Sequence, residues 1–581
     1  ELRAPHSLTE YFHTAVAPLN PFNKKDVGLF VYGQLPLSIT KAIASVRGLD
    51  NYDGLLGLGR FLSALADTLA VVLVFLIGRR IGGKQLGLLA AALVSLTALH
   101  LQQSHFFTVD TFATFFLVAT FWAALRWSSR EDKETKRPVL GAAALAGLFF
   151  GAALASKISS GLFLLVLFGF AIVRLRRAGW KRAAVELFLC LFTAFWTFRI
   201  AHPMAFSGTG GASTLWGLLD IRLFTPEPGG KGFWQSVTEQ RGISAGDIDL
   251  PWNIQWIGTP KYIFPLRNLL GWGTGWPFGL VSLLALCWIF GCTLRRMVKR
   301  GGRDNKAPAA LILAALWCLL VFIYFGGQFS KFTRYYLVAT PFMALCAAWF
   351  LLRLQNTRWK NPARFGTGFV LAATLFWALA VTSIWTRPHT RIAASNWIRA
   401  TIASGTPVAN ETSWDDTLPI GETNGLTMLN LELYEPDTDF KRTTLLDKLD
   451  RSQWIFISSN RAHGSITRLP GRYPLATEFY RALFAGQLGF TPRREFVSRP
   501  QLFGVEFRDE GAEESLTVYD HPRVMLFQKT EAYSRAKAEA ALPSSLITQT
   551  DSRPLSEWRD AGWNPQCAGE KPLPTLPDVS R

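Results

Sequence analysis

The stretch Gln103–Phe116, QSHFFTVDTFATFF, decides how this chain is read. It sets one carboxylate, Asp110, in sequence otherwise suited to hydrocarbon. Apolar residues fill Leu88–Leu101 before it and Phe112–Leu125 after it. A carboxylate just inside a membrane helix costs about 2.5–3.5 kcal/mol on insertion scales, so such groups are as a rule paired or functional. A plainer role is open as well: a helix-start aspartate favoured by the dipole, with Thr108 or Asp110 as cap.

Outward from Asp110, apolar segments of bilayer length fall at 57–78, 85–102, 108–126, 139–156, 159–174, 183–201, 275–294, 308–326, 334–352 and 366–386. Lys157 and a serine-rich bend divide the fourth from the fifth. Basic runs follow every second segment, at 79–84, 126–137, 174–182, 295–303 and 353–364. By the positive-inside rule these five connections are cytoplasmic. Gln102–Asp110, Ser156–Ser160, the long loop 202–274, Gly326–Arg334 and everything after 386 then face outside. The polar start at Glu1 falls outside too, which leads us to expect one further span upstream, about eleven in all.

The totals agree with a polytopic α-helical membrane protein. Hydrophobic residues make up 49% of the 581, and mean hydropathy is positive. A net charge of +19 would suggest nucleic acid in a soluble protein. Here the basic residues sit between apolar segments, so topology explains them and no nucleic-acid partner is expected. The six cysteines form no spaced ligand set: five lie in apolar sequence, and Cys567 stands alone.

We expect residues 1–54 to form an outer loop with interfacial helices, Leu29–Val46 being a helix pair broken by Gln34, Pro36 and Lys41. Residues 55–386 form the membrane domain. Residues 387–542 read as an extracytoplasmic α/β domain, with strands near Trp454–Ser458 and Val524–Gln528 and helices near Ser395–Ala403 and Glu478–Phe484. Residues 543–581 read as an extended tail.

The unusual polar residues gather on the outer side: Arg60, His105, Asp110, Lys157, Arg199, His202, Lys331 and Arg334. Cations at that depth suit a lipid-anchored phosphate or pyrophosphate. A carboxylate there suits a general base or a metal ligand. Headgroup snorkelling by Arg60, Lys157 and Arg334, and interfacial hydrogen bonding by His105 and His202, account for the same residues. Trp252, Trp256, Trp272 and Trp276 read as an interfacial belt rather than a sugar-stacking surface. Asp415, Asp416 and Asp520 read as turn and capping residues.

The motifs YGQLPL (Tyr32–Leu37), GRFLSALAD (Gly59–Asp67), SHFFTVDTFATFF (Ser104–Phe116), GAALASKISSG (Gly151–Gly161) and KFTRYYLVATPFMAL (Lys331–Leu345) together resemble the GT-C glycosyltransferases. The specific likeness is to bacterial relatives of protein O-mannosyltransferases and aminoarabinose lipid A transferases. It spans about residues 20–390. The resemblance implies transfer of a sugar from a polyprenyl-phosphate donor, at the outer face of a bacterial inner membrane, to an acceptor protein, lipid or glycan. It makes Asp110 the second acidic residue of the site and any metal ligand, a divalent metal being possible. Lys157 and Arg334 become contacts to carrier phosphate or sugar, with Arg60, His105, His202, Lys331 and Tyr335 around the same mouth. The family's leading acidic motif follows its first span, and this sequence starts beyond that point; Glu1, Glu10 and Asp26 lack its context. Membrane lipids, and a larger membrane complex, are the other expected partners. A non-catalytic GT-C-fold scaffold is the alternative. A transporter would call for inverted repeats and broken midplane helices, and the sequence displays neither.

Overall fold

The computed structural model describes residues 3–24, 27–129, 139–208, 214–225, 231–298, 308–411, 417–421 and 425–560. Glu1, Asp26, the basic residues of 130–137 and 299–303, Asp415, Asp416 and Cys567 lie outside them. The chain divides into two compact units: residues 1–241, 265–327 and 333–378, and residues 242–264, 328–332 and 379–581.

The first unit is helical, and each of the ten expected apolar segments carries a helix. Among the described residues, seven helices are long and apolar enough to cross a membrane; Lys84–Ser95 and Ala98–Ser104, bent by 61°, pass the same test as a pair. Leu140–Ser156 and Thr340–Gln355 are apolar but shorter. Helix ends follow local chemistry. Tyr52–Gly82 starts where the Asn51 side chain accepts the Gly54 N–H at 2.7 Å, carries Arg79 and Arg80 at the negative end of its dipole, and stops at Gly83 with φ 90°. Close helix packing rests on small residues: a Cβ at Gly147 or Gly151, a GxxxG pair, would collide with backbone at Cys190 or Ala194.

Several expectations are corrected. Residues 34–47 form one helix, not a pair. Pro36 falls in its first turn, where N–H groups have no helical partner to lose, and Lys41 is only 7% exposed because it pairs with Asp50. The loop 202–274 is not one piece, since residues 242–264 belong to the second unit. Trp256, expected at an interface, is buried at 1% exposure among Ile254, Phe329 and the core of that unit.

The second unit is built on a five-stranded sheet. Strands β1 (Pro407–Glu411), β2 (Thr427–Leu431), β3 (Trp454–Ile457), β4 (Phe490–Phe496) and β7 (Val524–Lys529) run in the order β2-β1-β3-β7-β4, and β5 (Gln501–Leu502) pairs with β6 (Val505–Glu506) apart from them. β1 is parallel to β2 and β3, while β7 is antiparallel to β3 and β4. Continuous apolar runs mark β3 and the first four residues of β7, and they lie buried. Helices Thr390–Thr401 and Pro474–Phe484 match the expected positions. The tail does not: residues 544–549 and 555–560 are helical turns, with Leu555 fully buried and Trp558 at 9% exposure in the core. Two large apolar side chains outweigh the polar, proline-rich composition around them. Asp520 pairs with Nδ1 of His521, whose Nε2 meets Asp509 at 2.7 Å.

Candidate active site

Asp110 sits in the first turn of the helix Val109–Ser129, 4% exposed. Lys157 stands where the helix Leu140–Ser156 ends and the 3₁₀ turn Ile158–Phe163 begins, its backbone extended at φ −154°. The serine-rich bend breaks the helix there and turns the lysine sideways. Its Nζ donates to Asp110 Oδ1 at 2.5 Å and lies 4.7 Å from the centre of the Tyr335 ring. Tyr335 comes from a third irregular element, the 3₁₀ turn Thr333–Tyr336, which also carries half-buried Arg334. A carboxylate, an ammonium and an aromatic face thus converge from three chain breaks. Among the described residues, Asp110 and Lys157 have no other side-chain partner.

The YGQLPL segment supports this turn from behind. Gly33 N–H donates to the Ser156 carbonyl at 3.0 Å, and a Cβ on Gly33 would collide with the Ala155 carbonyl. The next residue, Gln34, donates its N–H to Nδ1 of His202 at 2.9 Å. His202 is fully buried between the rings of Phe198 and Phe233, and burial pushes its imidazole down to about 3, so it is neutral. Its Nε2 has no partner among the described residues. Three residues earlier, Arg199 is equally buried: Nη2 donates to the Gly217 carbonyl at 2.5 Å, while Nε and Nη1 lack partners among the described residues.

Arg60 and His105 are exposed, His105 Nδ1 resting 2.6 Å from the Leu101 carbonyl. Lys331 is buried within the second unit, donating to the Phe329 carbonyl at 2.8 Å and Thr259 Oγ1 at 3.1 Å. Burial, aided by Lys261, lowers its pKa to about 8.

One buried array was not anticipated. His100, 1% exposed, places Nδ1 2.5 Å from Asp67 Oδ1 and Nε2 2.6 Å from Thr340 Oγ1. The Thr340 hydroxyl also donates to the Leu337 carbonyl at 2.8 Å. Asp67 lies inside the GRFLSALAD motif, but no spacing in the sequence shows that it meets His100, or that His100 meets Thr340. Among the described residues, no group of three or more His, Cys, Asp or Glu side chains is arranged to hold a metal ion.

Comparison with known proteins bears on the first unit. Residues 57–205 match the family model described as dolichyl-phosphate-mannose-protein mannosyltransferase. No curated protein sequence matches the chain. Among solved structures, the Archaeoglobus fulgidus oligosaccharyltransferase tethered to an NVT-sequon peptide is 15% identical, covering 93% of this chain and 74% of that one at a TM-score of 0.47. Apo ArnT from Cupriavidus metallidurans is 13% identical, covering 92% and 95% at a TM-score of 0.41. The matched segment takes in Asp110 and Lys157.

Proposed function

We propose that this protein transfers a sugar from a polyprenyl-phosphate-linked donor to an acceptor on the extracytoplasmic side of a bacterial inner membrane. The observation that carries the reading is the Asp110–Lys157–Tyr335 cluster, a compact acid–cation–aromatic site at the ends of membrane helices. The description of the matching family names a donor of this class, a sugar on a lipid phosphate.

The chemistry follows from charge. An acceptor hydroxyl or amide attacks the anomeric carbon, the bond from that carbon to the carrier phosphate breaks, and the lipid phosphate departs with the pair of electrons. Lys157 and Arg334 stabilise the charge that grows on the phosphate oxygens. Asp110 takes the acceptor's proton. In the resting site Asp110 and Lys157 neutralise each other. An arriving phosphate draws the ammonium toward itself and frees the carboxylate when the base is needed. The Tyr335 ring holds the lysine at the cluster while its partner changes. A divalent cation at Asp110 would compete with that ammonium for the same oxygen.

The test is transfer from a radiolabelled polyprenyl-phosphate sugar in proteoliposomes. Wild-type protein should move label to an acceptor fraction and Asp110→Asn should not. Equal transfer by both would remove Asp110 from the chemistry. Sidedness is tested by cysteines placed at Ser104 and Thr357: an impermeant thiol reagent on intact cells should label only the first.

A further inference from the structure

The Asp67–His100–Thr340 array occupies costly ground. Asp67 is the midpoint of the helix Tyr52–Gly82, about 22 Å from either end at the rise of an α-helix. A carboxylate in the middle of an apolar helix is at its least favourable, and such groups are as a rule functional. Its side chain is 14% exposed and that of His100 1%. Pairing lowers the cost without explaining the choice, because apolar residues of similar volume hold helices together with no charge to bury. The other two members stand at chain irregularities. His100 lies just past the 61° bend between Lys84–Ser95 and Ala98–Ser104, and Thr340 opens the helix Thr340–Gln355.

Both of those irregular segments belong to the stretches that carry the candidate site. The Thr340 hydroxyl and N–H donate to the Leu337 carbonyl at 2.8 and 3.3 Å, and the Leu337 N–H donates to the Arg334 carbonyl at 3.1 Å. The His100 imidazole therefore holds, through Thr340 and Leu337, the turn that presents Arg334 and Tyr335. On its own strand of chain, His100 is followed by bonds from the His105 N–H to the Gln102 carbonyl at 3.0 Å and from the Phe106 N–H to the Gln103 carbonyl at 3.3 Å. These lead directly into Asp110. Phe107 packs against Gly59, where a Cβ would come within 2.4 Å of the ring. Gly59 and Asp67 lie on one helix, so Tyr52–Gly82 fixes the approach to Asp110 at one point and, through Asp67, the approach to Tyr335 at another.

We propose that Asp67, His100 and Thr340 are positioning residues, which hold the Arg334–Tyr335 turn in register with Asp110 and Lys157. The inference rests on the reading of that cluster as the transferase site. With the array broken, the turn slips, the Tyr335 ring moves off the Lys157 ammonium, and bound donor no longer meets the groups arranged for the transition state.

Two single variants test this. Thr340→Val keeps the shape and removes the hydroxyl. Asp67→Leu removes the carboxylate and suits hydrocarbon better than aspartate does. At matched folded fraction in proteoliposomes, each should lower kcat by about tenfold to a hundredfold with donor KM within about threefold of wild type. Thr340→Ser should restore kcat to within about twofold. Hydrogen–deuterium exchange of peptides covering residues 333–340 should quicken by about threefold or more in Asp67→Leu, although the change lies in another helix. Either folded variant suffices. Wild-type kcat per folded molecule in either of them, alongside an inactive Asp110→Asn, overturns the positioning role and leaves the transferase reading standing. So does Thr340→Ser as slow as Thr340→Val, or unchanged exchange in Asp67→Leu. A wild type that transfers no sugar ends the transferase reading, and the positioning role with it.

Discussion

The Asp110–Lys157 pair separates stability from activity in a way that a four-protein cycle can read. Both groups are largely out of water: the Asp110 side chain is 6% exposed and that of Lys157 15%, with 2.5 Å between nitrogen and oxygen. Lys157→Met leaves a buried carboxylate with no cation, a situation that costs about 3–5 kcal/mol. Asp110→Asn is milder. An amide oxygen still accepts from the ammonium and the Tyr335 ring still faces it, so the loss should be about 1–2 kcal/mol. The double variant has no charge left to strand and should return to within about 1 kcal/mol of wild type. Activity should take another order. Asp110→Asn loses a general base and should fall about 10²–10⁴-fold, and the double variant should be no better despite its recovered stability. Thermal unfolding in detergent and single-turnover transfer in proteoliposomes measure the two quantities. If transfer simply tracked melting temperature across the four proteins, with the double variant active, the pair would be a structural staple and the proposed chemistry would fall.

Other consequences are equally specific. Glu186 accepts both Arg174 bonds, the Trp127 indole N–H at 2.8 Å and the Val139 N–H at 2.9 Å, all buried. Glu186→Ala should therefore cost about 3–5 kcal/mol of thermal stability, while Arg174→Met with Glu186→Leu should cost far less. Gly33→Ala pushes against the Ala155 carbonyl and should cost about 1–3 kcal/mol; it should also lower transfer by moving Lys157, as a transfer assay at matched folded fraction would detect. In the second unit, burial raises the Glu411 carboxyl to about 8 from 4.5, so the folded state holds a proton that the unfolded chain releases. Stability of that unit should fall as pH rises from 4.5 to 8, by up to about 1.4 kcal/mol per pH unit, and denaturant unfolding of Glu411→Gln should show a flatter profile. His521, held up to about 9 by Asp520 and Asp509, should add a second loss between pH 6.5 and 9 that His521→Asn removes.

The helices of the first unit were legible because hydrophobic length is a local property of a sequence. All ten apolar segments became helices for that reason, including the two that end early. What local reading missed was anything decided by packing at a distance. The polar, proline-rich stretch after Pro543 looked unstructured, yet Leu555 and Trp558 fill the core of the second unit. Lys331 looked like a member of the outer polar group and Trp256 like part of an interfacial belt, yet both are buried in the second unit. The Asp110–Lys157 contact was within reach, since both residues interrupt apolar runs on the same inferred side. The Asp67–His100–Thr340 array was not, because a single His in an apolar helix gives no sign of what faces it.

Two buried carboxylates of the first unit, Glu186 and Asp110, differ in how much of their acceptor capacity is used. An ionised carboxylate offers about four lone-pair directions. Glu186 uses both oxygens against three donor residues, so no acceptor position remains for a substrate and any departure breaks several bonds at once. Asp110, by contrast, takes a single side-chain hydrogen bond among the described residues, from a lysine on a flexible stem. It sits at a helix start rather than between helix middles, and its cation rests on an aromatic ring that lets it shift without losing all its stabilisation. A structural ion pair gains from being saturated, whereas a catalytic one must keep capacity in reserve. By that criterion Glu186 is saturated and Asp110 keeps a reserve, which is what its proposed role as general base requires.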